Sequence, residues 1–117
     1  MMARSPRSLR NSESFKQFVV DQLAALDVTA KSMFGGTGLY SGGHFFGIIA
    51  SDVLYFKVDD TNRGEYERAG MEPFKPYDDR PGTMSYYAVP PSVLECAPDL
   101  ERWARTALQA AKRGHST

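Results

Sequence analysis

An α+β domain, with helices packed on a five-stranded antiparallel sheet, is predicted for this 117-residue chain. Two observations predict it. Between Met33 and Val58 three short segments rich in aromatic and β-branched residues are separated by the turn signals Ser41-Gly42-Gly43 and Ser51-Asp52, the pattern of consecutive antiparallel strands. On either side of this block, apolar residues recur at the three-and-four spacing of helices with one buried face.

In chain order, the first ten residues are Ser- and Arg-rich, contain no acid and lead into no apolar stretch, so they are not a secretory signal. Residues 1–11 are expected to be a disordered basic tail, and residues 12–113 a single domain. The first helix is expected over residues 13–26, with Phe15, Phe18, Val19, Leu23 and Leu26 on its buried face. Ser14 with Gln17 would form a capping box, or Asn11 or Ser12 would cap a slightly longer helix.

The three-stranded meander is expected over residues 33–40, 44–50 and 53–58. Gly35, Gly36 and Gly38 fall inside its first strand, where glycine marks a bend, a bulge or a close backbone approach. In its third strand Leu54, Phe56 and Val58 point to the core, and Val53, Tyr55 and Lys57 point to a second face that is partly wet or covered by a partner. Asp59 and Asp60 then stand where a helix begins, and their carboxylates are read as caps for a short helix over residues 61–69 ending at Gly70. Strands over residues 73–77 and 83–89 follow, joined by a polar turn at residues 78–82, and Tyr86 and Tyr87 face opposite sides of the sheet. After Pro90-Pro91 and a short turn, Pro98 opens a last helix whose stripe is Leu100, Trp103, Ala104, Ala107, Leu108 and Ala111, ending at Gly114.

Composition narrows the function. Hydrophobic residues make up 42% of the chain, yet no apolar run approaches the ~20 residues of a membrane helix. Cys96 is the single cysteine, which excludes an internal disulfide and points to a cytoplasmic setting. It is read as a small packed hydrophobe. The formal net charge is zero, but Arg4, Arg7 and Arg10 lie in the tail, leaving eleven basic against fourteen acidic residues, a net −3, in the rest. Such a body is not built to grip nucleic acid through many phosphates. No nucleotide-binding glycine motif is present, since GxGxxG and the Gly-Lys-Ser/Thr ending are both lacking. His44, Cys96 and the Asp59-Asp60 pair are the residues an enzyme would use, His44 being read as a turn residue and His115 as lying beyond the last helix. No catalytic residue, metal ligand or cofactor is assigned.

Five ordered motifs, MFGGTGLY, HFFGIIASDVLYFKVDD, GMEPF, MSYYAVP and LERWARTALQAA, closely resemble the N-terminal domain of the TfoX/Sxy family. The resemblance implies an α+β fold with a five-stranded antiparallel sheet. It implies a regulatory rather than an enzymatic role: members named for their activity are bacterial regulators of natural competence that act with the cyclic-AMP receptor protein. Full-length regulators carry a second, C-terminal domain, whereas this chain ends shortly after its last helix. The expected function is therefore a small regulatory module working through protein contacts, with transcription machinery as the partner class and a homodimer among the candidates. Tyr55 and Lys57 are the expected partner-contact residues. The alternatives are non-specific nucleic-acid binding through the basic tail and an uncharacterised small-ligand-binding domain.

Overall fold

The computed structural model describes residues 11–33, 35–74 and 85–115. Ser12 caps α1 (Glu13–Gln22), its Oγ accepting the Phe15 N–H at 3.2 Å. Ser14 is thus inside the helix and not its cap. Val19, Leu23 and Leu26 are buried, but Phe18 stands 39% exposed on the flank, touching Phe15 with ring centroids 6.4 Å apart. The α-helix stops four residues earlier than expected. The Leu23 N–H is shared between the Val19 and Val20 carbonyls, the chain tightens into a single 3₁₀ turn, Ala24–Leu26, and Asp27 ends it in the left-handed region at φ 53°.

A sheet strand that periodicity did not reveal follows, β1 (Val28–Met33), and then β2 (Gly36–Ser41), β3 (His44–Ala50) and β4 (Val53–Lys57). What reads as one strand over residues 33–40 is the end of β1, a turn at Gly35 with φ +83°, and most of β2. The meander is therefore four-stranded, and β5 (Tyr86–Ala88) completes a sheet of order β1-β2-β3-β4-β5, antiparallel throughout. Of the strand expected over residues 73–77, the described residues are Pro73, which makes one bridge with Tyr87, and Phe74, whose N–H bonds the Tyr86 carbonyl, while the Ala88 N–H bonds the Glu72 carbonyl. Residues 75–77, the turn at 78–82, the start of the expected strand at 83–84 and tail residues Arg4, Arg7 and Arg10 lie outside the described residues.

Both inner hairpins turn through residues with positive φ, Gly42 and Gly43 in one and Ser51 and Asp52 in the other. The second, unusual for having no glycine, is held from outside. Asn11 accepts the Asp52 N–H at 2.8 Å, and the Asp52 carboxylate accepts the Ser12 N–H at 2.7 Å.

The sheet is double-sided. On one face α1, α2 (Arg63–Arg68) and α4 (Ala97–His115) cover Leu39, Phe46, Ile49, Leu54, Phe56 and Val58, all buried. Between β5 and α4 lies a single turn, α3 (Pro91–Leu94), with Pro91 in the favoured first helical position. Strict alternation would place Phe46 with Ile48, yet Phe46 joins Ile49 in the core. The register explains this: Leu39 pairs with Gly47 but Tyr40 with Phe45, so Phe46 is an extra residue in a β-bulge. A glycine suits position 47, because a Cβ there would lie 3.2 Å from the Tyr55 carbonyl oxygen, tighter than most Cβ contacts.

α2 ends as expected at Gly70, φ +75°, with the Gly70 N–H bonded to the Glu67 carbonyl and the Met71 N–H to the Tyr66 carbonyl. α4 runs through Gly114 to His115, past the expected stop.

Candidate functional site

The second sheet face is built by the side chains that alternation directs away from the helices. Ile48, Ala50, Tyr55, Phe74 and Tyr86 are buried together there, with Phe45 and Ala88 half-buried around them. Across this face an aromatic row runs from β2 through β3 to β5. Tyr40 stacks on Phe45 at 5.1 Å, and Phe45 meets Tyr86 at 5.4 Å. Gly38 makes room for it: a Cβ there would lie 2.7 Å from Met33 Sδ and 3.1 Å from a Phe45 ring carbon. Each end of the row carries a cation. The Lys31 ammonium sits 5.0 Å from the Tyr40 ring centroid and the Lys57 ammonium 5.3 Å from that of Tyr86. Burial, with Tyr40 nearby as a smaller influence, pushes the Tyr86 hydroxyl up to about 12, so it stays a neutral hydrogen-bonding group across the physiological range.

Of the two expected contact residues, Tyr55 is 7% exposed and lies under Phe74, ring centroids 4.8 Å apart, so its area is spent inside the domain. Lys57 remains half-buried at the rim. Lys31, Tyr40 and Phe45 were not singled out from sequence, because their grouping depends on β1 and on the bulge.

The two acids after β4 have different tasks. Asp59 Oδ1 accepts from the Thr61 N–H at 3.0 Å and the Thr61 hydroxyl at 2.6 Å, and Arg113 Nε reaches Asp59 Oδ2 at 2.8 Å. The guanidinium above all, and then the Thr61 donors, hold the Asp59 carboxyl well below the usual carboxylate range against the opposing effect of burial. Asp60 pairs with Arg63 at 2.6 Å on the surface. Asp59, Asp60, Arg63 and Arg113, with Lys57 and Ser85, line an open depression of about 330 Å³ at the end of α4. Neither carboxylate caps α2 directly. The N-cap is Asn62, and Asp59 instead fixes the turn before it.

Asn62, 4% exposed, was not picked out from sequence. Its Oδ1 accepts the Asp59 N–H at 2.8 Å, and its Nδ2 donates to the Lys57 carbonyl at 3.1 Å and to Thr106 Oγ1 at 3.5 Å, so it ties β4 to α4. His44 is half-buried at the start of β3, and Cys96 is half-buried between α3 and α4, its carbonyl accepting the Leu100 N–H at 2.8 Å. Among the described residues no three His, Cys, Asp or Glu side chains gather closely enough to hold a metal ion. No helix among them is long and apolar enough to cross a membrane.

A sheet with all helices on one face and an aromatic, lysine-tipped second face defines a small α+β module. The TfoX N-terminal domain family matches residues 21–111, and the chain belongs to that family. No curated protein matches it.

Proposed function

We propose that this chain is a cytoplasmic regulatory module that acts by protein contact and not by catalysis, in the manner of the N-terminal domain of competence regulators, with a component of the transcription machinery as its partner. Family membership over residues 21–111 is the observation that carries this reading. The second sheet face supports it by offering a contact surface of suitable chemistry. Lys31 and Lys57 stand at the two ends of the Tyr40, Phe45 and Tyr86 row, each ammonium already positioned by a ring. Cations fixed beside these rings, Tyr40 half-buried and Tyr86 buried, favour a partner surface that presents carboxylates next to apolar groups.

The test is a tagged pull-down from the native host, with and without nuclease, using the wild-type chain and the Lys31→Glu/Lys57→Glu variant. The expected result is nuclease-resistant recovery of a transcription factor or polymerase subunit by the wild type and its loss in the variant. Recovery that nuclease abolishes would favour nucleic-acid contact by the Arg4, Arg7 and Arg10 tail instead. Recovery equal for both proteins would place the contact elsewhere.

A further inference from the structure

Charge is sorted within the sheet. The five strands contain no Asp or Glu, and their two lysines, Lys31 and Lys57, both stand on the second face. Among the described residues neither takes part in an ion pair. A ligand that answers both charges is anionic, and the ring geometry separates nucleic acid from acidic protein. A base binds an aromatic row by stacking on an open ring face. Here the faces are taken. β1 and β3 flank β2, so the Lys31 ammonium and the Phe45 ring cover Tyr40 from opposite sides, with the Tyr40 and Phe45 planes 28° apart. Phe45 is held between Tyr40 and Tyr86, and Tyr86 is 6% exposed with the Lys57 ammonium over its ring. The half-buried Tyr40 and Phe45 therefore turn their ring edges outward, the positive rim of the aromatic quadrupole. Edges and ammonium groups alike favour carboxylates over bases.

We propose that this row binds an acidic peptide segment in which two carboxylates flank an apolar side chain, and that it does not bind nucleic acid. The inference rests on the protein-contact reading above and names the chemistry of the partner. Spacing sets the pattern of the segment. Lys31 is in register with Gly38, Ile48 and Tyr55 across successive strands, and Lys57 follows Tyr55 at the next position on that face, so the lysine Cα atoms are roughly 16 Å apart. In an extended segment residues i, i+2 and i+4 share one side and span ~13 Å, and glutamate side chains reach the rest of the way to both ammonium groups. The segment is thus acid, apolar, acid at alternate positions, with the apolar side chain resting on Tyr40 and Phe45. The contact is well below a standard interface, so binding is weak, with a Kd on the order of 100 μM to 1 mM. The body of the chain outside its basic tail is acidic, which opposes a long polyanion more than a segment carrying two carboxylates.

Amide chemical shifts of the isotope-labelled full chain test this with three defined probes. They are a capped peptide GSETLTETLTESG, its neutral counterpart GSQTLTQTLTQSG, and an oligo-dT strand. The glutamate peptide is expected to shift the amides of Lys31, Tyr40, Phe45 and Lys57 saturably, and the glutamine peptide to bind at least about tenfold more weakly. Oligo-dT is expected to leave those amides in place. Lys31→Gln/Lys57→Gln should weaken binding of the glutamate peptide at least about tenfold, and circular dichroism checks that the variant is folded. No saturable shift with the glutamate peptide, equal binding of the glutamine peptide, binding indifferent to Lys31→Gln/Lys57→Gln, or the same amides shifted by oligo-dT would each overturn the proposal. A partner recovered in the pull-down while the glutamate peptide fails to bind would leave the protein-contact reading standing and remove the acidic segment alone.

Discussion

Two residues show how environment sets the worth of a polar group. Tyr66 is fully buried, meets Trp103 edge-on at 4.7 Å and Tyr87 at 5.9 Å, and its hydroxyl finds no hydrogen-bond partner among the described residues. Burial raises its pKa far above that of a free tyrosine. Removing an unpaired, desolvated hydroxyl while keeping the ring is expected to leave stability unchanged or raise it by up to about 1 kcal/mol. Urea unfolding of Tyr66→Phe checks this, and a loss of more than about 1 kcal/mol would reveal a partner for the hydroxyl. Asp59 is the opposite case, a carboxylate satisfied by Arg113 and Thr61. Its folded pKa is depressed, so the stability it contributes is fully present above the unfolded value of about 3.9 and is lost as pH falls from there through the folded value. Between about pH 6 and pH 3 the wild type should therefore lose more stability than Asp59→Asn, and parallel pH profiles would count against it. Neither role was legible beforehand. Asp59 looked like a helix cap and Asn62 fell inside the helix expected over residues 61–69, because Arg113 and Thr106 are 54 and 44 residues away in the chain.

At the level of elements, legibility followed burial. β3 and β4, whose inward positions are filled by Phe46, Ile49, Leu54 and Phe56, were predicted within a residue, and so was the end of α2 at Gly70. β1 was missed because an edge strand with residues 29–32 exposed has no face to fill, and Val-Thr-Ala-Lys-Ser-Met carries no alternation. The bulge at Phe46 was hidden for a related reason, since consecutive aromatic residues do not say which of them is extra. The lysine-tipped aromatic row inherits both omissions, which is why only Lys57 and Tyr55 of that face were named as contacts, and Tyr55 proved to be interior beneath Phe74. How the elements are joined gives a further prediction. Asn62 bonds the Asp59 N–H, the Lys57 carbonyl and Thr106 at once. Asn62→Ala would leave two partly buried backbone groups without their partner at the junction of β4, α2 and α4. A loss of about 1 to 3 kcal/mol is expected in urea unfolding. Asn62→Asp should cost at least as much, because its second carboxylate oxygen would face the Lys57 carbonyl, acceptor against acceptor, in a site only 4% exposed. A loss clearly smaller than that of Asn62→Ala would show that the acceptor, and not the amide donor, holds the junction.

For the molecule as a whole, the question is whether a domain with two apolar clusters on opposite sides of one sheet unfolds in one step or two. β4 argues for one. Leu54 and Phe56 lie in the helical cluster while Tyr55 lies in the other, so consecutive residues of a single strand belong to both. The strand is also central to the hydrogen bonding, paired to β3 on one side and to β5 on the other. Loss of either cluster frees a strand the other depends on, and a sheet exposed on one face by loss of its helices keeps too little burial to persist. The two sides carry separate reporters. Trp103 is 9% exposed in the helical cluster, and Tyr55 and Tyr86 stand in the second. Thermal melts followed by Trp103 fluorescence and by near-ultraviolet tyrosine dichroism, in a Tyr66→Phe/Tyr87→Phe background that removes the tyrosines of the helical cluster, are expected to coincide. Phe56→Ala, which cuts a side chain from the helical cluster alone, is expected to cost about 3 to 5 kcal/mol and to shift both melts together. If it moves the tryptophan melt and leaves the tyrosine melt in place, the second face is a separately stable unit, and β4 does not couple them.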